Sequence, residues 1–164
     1  MTEKDIQLAL YRHLLGEHRK CIIPNIWTGV GEADLIALTQ SNYLHEFEIK
    51  ISRADFRNDF KHKRVKHDIL SGSDRYKGGY RRLIPTAYFY YAVPENLISV
   101  EEVPEYAGLI YVSEKHHCLI IKSAPKISNE KVTLEQENRI MRGCCYRMWN
   151  MMIKENRRAV RDGN

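Results

Sequence analysis

Two short strand-like stretches joined by a polar turn constrain the fold of this chain more than any other feature. Residues 33–39 form an apolar run that contains one acid, Asp34, and residues 40–42 read Gln-Ser-Asn. In residues 43–51 the side chains alternate between two faces of a strand, because successive residues of a strand point in opposite directions. One face carries Leu44, Glu46, Glu48 and Lys50. The two stretches therefore predict a β-hairpin at the centre of a sheet.

Helical and strand-like segments alternate along the rest of the chain. We predict a first helix over residues 2–15 and a strand at 21–23 that ends before Pro24. Ser52-Arg53-Ala54-Asp55 has the form of a capping box and predicts one helix that continues to residue 69. Three more strands follow at 86–93, 108–112 and 118–122, and a terminal helix begins near residue 133. This order predicts an α/β fold with a mixed central sheet flanked by helices.

Chain length and composition suggest one globular domain spanning residues 1–164. Within it we expect a basic loop at about 71–85 and a basic, frayed C-terminal tail at about 154–164. No apolar run is long enough to cross a membrane, and the N-terminus lacks the pattern of a signal peptide. The four cysteines have no C-x-x-C spacing, which favours reduced thiols. We therefore expect a cytoplasmic protein.

Asp34, Glu48 and Lys50 are the residues most suited to chemistry. Glu48 and Lys50 are two apart on a strand, so they leave the same face roughly 6–7 Å apart. A hairpin can bring Asp34 beside Glu48. Two carboxylates and the backbone carbonyl of Ile49 would make an oxygen site suited to Mg²⁺ or Mn²⁺. Lys50 would orient a water molecule or balance charge on a phosphate, so the three side chains are predicted to be catalytic.

The sequence around these residues resembles a known superfamily. Gly31-Glu32-Ala33-Asp34-Leu35-Ile36-Ala37-Leu38, followed by Glu48-Ile49-Lys50, resembles the core motif of PD-(D/E)XK nucleases, with Ala33 in place of the usual proline. The stretches EIKISRADFRNDFKHKR, FYYAVPENL, VPEYAGLIYV and IKSAPK resemble the MmcB-related DNA repair nuclease family, from about Gly31 to the last helix. Residues 67–85 are longer and more basic than the usual link of that family.

The resemblance implies a restriction-endonuclease-like fold, a divalent metal and a role in DNA processing. It carries the catalytic assignment to Asp34, Glu48 and Lys50, and more weakly to Ser52, Arg53 and Asp55. In some superfamily members a further acid on the first helix faces the metal. Glu3 is the candidate here and Glu17 a weaker one, although Glu3 equally suits a helix first turn. Glu46 is expected at the rim of the site.

Basic residues crowd the helix after Lys50 and the following loop. For any one of them the simpler interpretation is a solvated helix face with i,i+4 pairs such as Asp59–Lys63. Their density beside a phosphodiester site favours DNA-backbone binding by the group. The predicted DNA-binding residues are Arg53, Arg57, Lys61, Lys63, Arg64, Lys77, Arg81 and Arg82, with Lys66 and Arg75 nearby.

Three functions remain open from the sequence. The first is a Mg²⁺-dependent deoxyribonuclease that acts in DNA repair or processing. The second is a non-catalytic DNA- or partner-binding module on the same fold, against which the complete Asp34, Glu48 and Lys50 set argues. The third is an RNA-directed nuclease, since nothing in the sequence separates DNA from RNA. Cutting both strands of a duplex would favour a homodimer, but the oligomeric state is open as well.

Overall fold

The computed structural model describes residues 1–72 and 84–162, with side chains as far as residue 158. The chain divides into two compact units, Met1–Val132 and Thr133–Asn164. Each unit is described separately below. The predicted basic loop falls largely on residues 73–83, outside the described part of the chain.

The first unit is built on a six-stranded mixed sheet. Its strands lie in sequence order: β1 (Cys21–Trp27), β2 (Glu32–Leu38), β3 (Leu44–Ile49), β4 (Tyr88–Pro94), β5 (Ala107–Val112) and β6 (Cys118–Lys122). The β3–β4 and β4–β5 pairs are parallel and the other three pairs are antiparallel. The predicted hairpin of β2 and β3 is confirmed, and so is the α/β class with its mixed sheet.

One face of the sheet is covered by helix α1 (Glu3–Leu15). The helix begins at Thr2, whose hydroxyl accepts a hydrogen bond from Asp5 N–H while the Asp5 carboxylate accepts one from Thr2 N–H. Its apolar side packs against alternate residues of β2, β3, β4 and β5. The buried cluster comprises Ile6, Ala9, Leu10, Leu14, Leu35, Ala37, Phe47, Ile49, Ala92, Ile110 and Val112.

The opposite face of the sheet carries α2 (Arg53–His62) and α3 (Arg64–Leu70). Phe56 of α2 and Leu70 of α3 pack there against Phe89, Tyr91 and other alternate residues of β4 and β5. A single helix through residue 69 was predicted, and that prediction was wrong. The chain leaves helical geometry at Lys63, where φ is −110° and ψ is 32°.

Strand β1 continues through Pro24 instead of ending before it. Pro24 pairs with Leu35 of β2, and among the described residues β1 is the first strand of the sheet and has a partner strand on one side only. Proline removes a backbone N–H, but an edge strand has one row of backbone groups that no neighbouring strand needs. The predicted strand end was therefore wrong, because the edge position of β1 is not visible in local sequence.

The second unit contains helix α4 (Leu134–Asp162). Thr133 caps its start: Gln136 N–H donates to the Thr133 hydroxyl, and Thr133 N–H donates to the Gln136 side chain. The helix runs through most of the basic segment from residue 154, and fraying of that segment stays a prediction. Among the residues that the structure describes, no helix is both long and apolar enough to cross a membrane.

Candidate active site

Asp34 and Glu48 lie on neighbouring strands and face the side of the sheet that α2 and α3 cover. Leu35 pairs with Phe47, and both belong to the core under α1. Because side chains alternate along a strand, the residues on either side of this pair point to the opposite face. Ile49 N–H donates to Asp34 Oδ2 at 2.6 Å, which fixes the carboxylate against the end of β3.

Glu48 is fully buried and accepts contacts from three lysine ammonium groups. Lys50 Nζ lies 2.9 Å from Oε1, and Lys66 Nζ lies 2.6 Å from Oε2. Lys63 Nζ also contacts Oε1. The prediction that Glu48 and Lys50 leave the same face is confirmed, since their side chains are in contact. The contacts from α3 and from the break before it were not predicted.

Lys50 is held in its charged form. Burial alone would lower the pKa of this ammonium group, but the negative charges of Glu48 and Asp59 outweigh burial and raise the pKa above its ordinary value. Lys50 Nζ lies 2.8 Å from Asp59 Oδ1 in addition to its contact with Glu48. At neutral pH Lys50 is therefore a cation and does not act as a base.

The surroundings of Asp34 disfavour its charged form, in contrast to those of Lys50. Burial, followed by the negative charge of Glu48, raises the pKa of Asp34 to about 7, and the hydrogen bond from Ile49 N–H offsets only part of this. Within the described residues, that N–H is the only hydrogen-bond donor to the Asp34 carboxylate. The charges of Lys63 and Lys50 act in the same direction as that hydrogen bond, and a further cation beside Asp34 would favour its ionised form.

Glu46 is a buried member of the cluster, and its predicted position at the rim was wrong. Lys66 Nζ lies 2.8 Å from Glu46 Oε1, and the Thr86 hydroxyl donates to Glu46 Oε2 at 2.6 Å. Lys66 is fully buried as well. Burial opposes its charge, but Glu46 and Glu48 raise the pKa of Lys66 above its ordinary value. A lysine expected beside solvent therefore bridges two buried glutamates.

Asp59 of α2 completes the network and was missed as a site residue. Its Oδ2 lies 2.8 Å from His67 Nε2 and accepts a hydrogen bond from the Tyr91 hydroxyl at 3.0 Å. His67 Nδ1 in turn lies 2.8 Å from the Tyr106 hydroxyl. Burial opposes ionisation of Asp59, but the hydrogen bond from His67 and the charge of Lys50 hold its pKa well below the ordinary value.

One sequence signal pointed to these missed residues. Asp59, Lys63, Lys66 and His67 recur at helical spacing next to the apolar positions Phe56, Phe60 and Leu70. The i,i+4 pair Asp59–Lys63 is present at 3.8 Å. The expectation that it lies on a solvated face was wrong, because Asp59 is only 3% exposed.

Of the other predicted site acids, Asp55 lies at the edge of this network and Glu3 lies outside it. Ser52 caps α2 by accepting from Asp55 N–H, as predicted, whereas the Asp55 carboxylate does not complete the capping box and lies 4.0 Å from Lys50 Nζ. Glu3 is exposed in the first turn of α1. In the described part of the chain, no group of three or more acidic, histidine or cysteine side chains is arranged to hold a metal ion. Glu3 is therefore not gathered with Asp34 and Glu48, and ligation by Ile49 carbonyl stays a prediction.

The predicted DNA-binding residues fall into four groups. Arg57, Lys61 and Arg64 are exposed on α2 and α3. Arg53 is exposed but engaged, since it donates to Leu97 O and pairs with Glu102. Lys63 pairs with Glu48. Lys77, Arg81 and Arg82 lie outside the described residues, and DNA binding by the whole set stays a prediction.

Comparison with known proteins identifies a similar fold. No family model matches the chain, and no curated protein matches it. Among solved structures, the SPO1766 protein of unknown function from Silicibacter pomeroyi is similar, with a TM-score of 0.59 and 17% sequence identity. The match covers 88% of this chain and 84% of that one. At this identity the similarity concerns the fold alone.

Proposed function

We propose that this protein is a Mg²⁺- or Mn²⁺-dependent nuclease of the PD-(D/E)XK type that hydrolyses DNA phosphodiester bonds in repair or processing. The observation that carries the proposal is the arrangement of Asp34, Glu48 and Lys50. Two carboxylates on adjacent strands face the same side of the sheet, and a lysine ammonium lies 2.9 Å from one of them. The sequence resemblance described above supports the same function.

The residues present suit a divalent cation. Asp34 and Glu48 supply the hard oxygen ligands that Mg²⁺ and Mn²⁺ prefer. Burial, followed by the negative charge of Glu48, raises the pKa of Asp34 to about 7, and a divalent ion between the two carboxylates would offset their repulsion. When bound, the ion would polarise the phosphodiester and lower the pKa of a water molecule.

The chain itself would supply charge and position. Lys50 is a permanent cation, held by Glu48 and Asp59, so its role is to balance negative charge that develops on the phosphate. Its contacts with Glu48 of β3 and Asp59 of α2 limit the motion of its side chain. The DNA backbone would be bound by three cations that are exposed on α2 and α3, namely Arg57, Lys61 and Arg64.

The four cysteines are free thiols, which supports a cytoplasmic location.

A second function rests on the saturation of Glu48. Both of its carboxylate oxygens accept contacts from lysines in the structure. A network that is already satisfied suits a structural role, and the protein would then be a non-catalytic DNA- or partner-binding module. An RNA-directed nuclease would use the same residues as the leading proposal, so only the substrate separates the two.

Cleavage assays test these functions directly. The substrates are plasmid, single-stranded, flapped and duplex DNA, together with a matched RNA strand. Each is incubated with Mg²⁺, Mn²⁺ or EDTA and with wild type, Asp34→Asn, Lys50→Met or the control Arg12→Met, which changes an exposed cation of α1, on the other face of the sheet. We expect metal-dependent DNA cleavage by wild type and Arg12→Met, and loss in the other two variants. DNA binding without cleavage by any protein would favour the binding module, and preferential RNA cleavage would favour the third function.

A further inference from the structure

We propose that Lys63 is a built-in counter-ion: its ammonium group occupies a cation position beside Glu48 that a divalent metal takes over when it binds. This inference rests on the proposed metal-dependent function and adds a regulatory residue to it. Lys63 then lowers the affinity of the free protein for the metal.

The surroundings of the Lys63 ammonium resemble those of a hard metal ion. It contacts Glu48 Oε1, lies 3.8 Å from Asp59 Oδ1 and lies 3.5 Å from the backbone carbonyl of Glu32. These oxygens come from β3, α2 and the start of β2. Negatively charged and carbonyl oxygens converging from separate elements are the environment that Mg²⁺ and Mn²⁺ select. The positive charge of Lys63 also acts on the nearby Asp34 carboxylate.

The other two lysines at Glu48 are not suited to this exchange. Lys66 is fully buried and lies between Glu46 and Glu48, so its departure would remove a shared cation from two buried carboxylates. Lys50 is 7% exposed and is held by both Glu48 and Asp59. The Lys63 side chain is 28% exposed, which gives it a path to solvent.

The break between α2 and α3 places Lys63 in this position. Lys63 is the C-cap of α2 and the N-cap of α3, and its backbone is not helical. Its side chain is therefore attached to a junction and can swing outward without unwinding either helix. Once Lys63 leaves, Lys50 stays in contact with Glu48 Oε1, and the local charge becomes more negative by one unit.

Direct metal binding tests this inference without relying on catalysis. Mn²⁺ is titrated into the full chain and followed by calorimetry and by the electron paramagnetic resonance signal of free Mn²⁺. The proteins are wild type, Lys63→Met, Lys63→Arg, Glu48→Gln and the control Lys61→Met, which removes an equal charge from an exposed position on α2. We expect Lys63→Met to bind Mn²⁺ about tenfold more tightly than wild type, because the competing cation is gone. Lys61→Met and Lys63→Arg should stay near wild type, and Glu48→Gln should lose binding.

An affinity of Lys63→Met equal to or below that of wild type would overturn the inference, as would tightening of the same size in Lys61→Met. Absence of Mn²⁺ binding in every protein would also overturn it. Circular dichroism and urea unfolding establish that each variant is folded, and Lys63→Gln replaces Lys63→Met if the latter does not fold. Tighter Mn²⁺ binding by Lys63→Met together with no cleavage of any nucleic acid would retain the counter-ion role and reject the nuclease proposal.

Discussion

The Lys50 ammonium group lies 2.8 Å from Asp59 Oδ1, which links the strand of the predicted catalytic residues to the helix packed over it. Asp59 is 3% exposed and also contacts His67 and Tyr91. One carboxylate therefore orients Lys50 while it is itself oriented by two side chains. The position of Lys50 depends on a residue outside the predicted motif.

Replacement of Asp59 by asparagine should impair both stability and cleavage. The change removes a buried negative charge that faces Lys50, so we expect a loss of about 3 kcal/mol in the free energy of unfolding. Displacement of Lys50 should lower kcat at least about tenfold. Urea unfolding and single-turnover cleavage measure the two effects. The control is Asp55→Asn, which alters a carboxylate that is 46% exposed and lies 4.0 Å from the same lysine. Equal losses in both variants would contradict a special role for Asp59.

Lys66 should contribute to stability through its two glutamates. Lys66→Met removes the buried cation that bridges Glu46 and Glu48, and we expect it to lower the free energy of unfolding by about 3–5 kcal/mol. Adding Glu46→Gln removes one of the two negative charges that faced this cation, so the double variant should lose less than the sum of the single variants. Urea unfolding of all four proteins gives the coupling energy, expected at about 1–3 kcal/mol. Simple additivity would show that Glu46 and Lys66 do not interact.

The raised pKa of Asp34 predicts that the free energy of unfolding of the metal-free protein falls as pH rises. Its pKa is about 7 in the folded protein, against an ordinary value of 3.8 that applies to the unfolded chain. Between pH 4 and 7 the folded state keeps a proton that the unfolded state loses, so the free energy of unfolding decreases over that window, by roughly 4 kcal/mol at most.

Asp34→Asn removes this titration and tests it. The variant should show a flatter stability profile than wild type between pH 4 and 7, and it should be the more stable protein at pH 8. Urea unfolding in EDTA at several pH values makes the comparison, with Asp55→Asn as the control for loss of an exposed carboxylate. A wild-type profile in Asp34→Asn would contradict the assignment of the pH dependence to Asp34.

The exposed cations of α2 and α3 should determine the salt dependence of DNA binding. Arg57→Ala and Lys61→Ala should each weaken binding to any duplex, and each should reduce the slope of log K against log salt concentration by about 1. Arg53→Ala should have a smaller effect, because Arg53 already pairs with Glu102. Fluorescence anisotropy at several salt concentrations, without divalent metal, gives the slopes. A full reduction for Arg53→Ala and none for Arg57→Ala would reverse this assignment.

Local sequence patterns predicted the parts of this fold that depend on local geometry. The alternation in residues 43–51 places Glu46, Glu48 and Lys50 on one face of a strand in any sheet. The turn after β2 makes β2 and β3 a hairpin, and Thr2 and Ser52 cap helices through bonds to residues three positions away. These features need no knowledge of distant residues, so the sequence was enough.

The tertiary structure decided which charged side chains are buried. Helical spacing groups Asp59, Lys66 and His67 on one side of the chain, but it does not say whether that side meets water or a sheet. Charged residues are usually solvated, and burial becomes favourable only when opposite charges meet them from another element. Glu46 and Glu48 on β3 provide that partnership for Lys66, as Lys50 does for Asp59. The sequence thus determined the catalytic candidates, whereas the packing of α2 and α3 on the sheet determined the charge network that surrounds them.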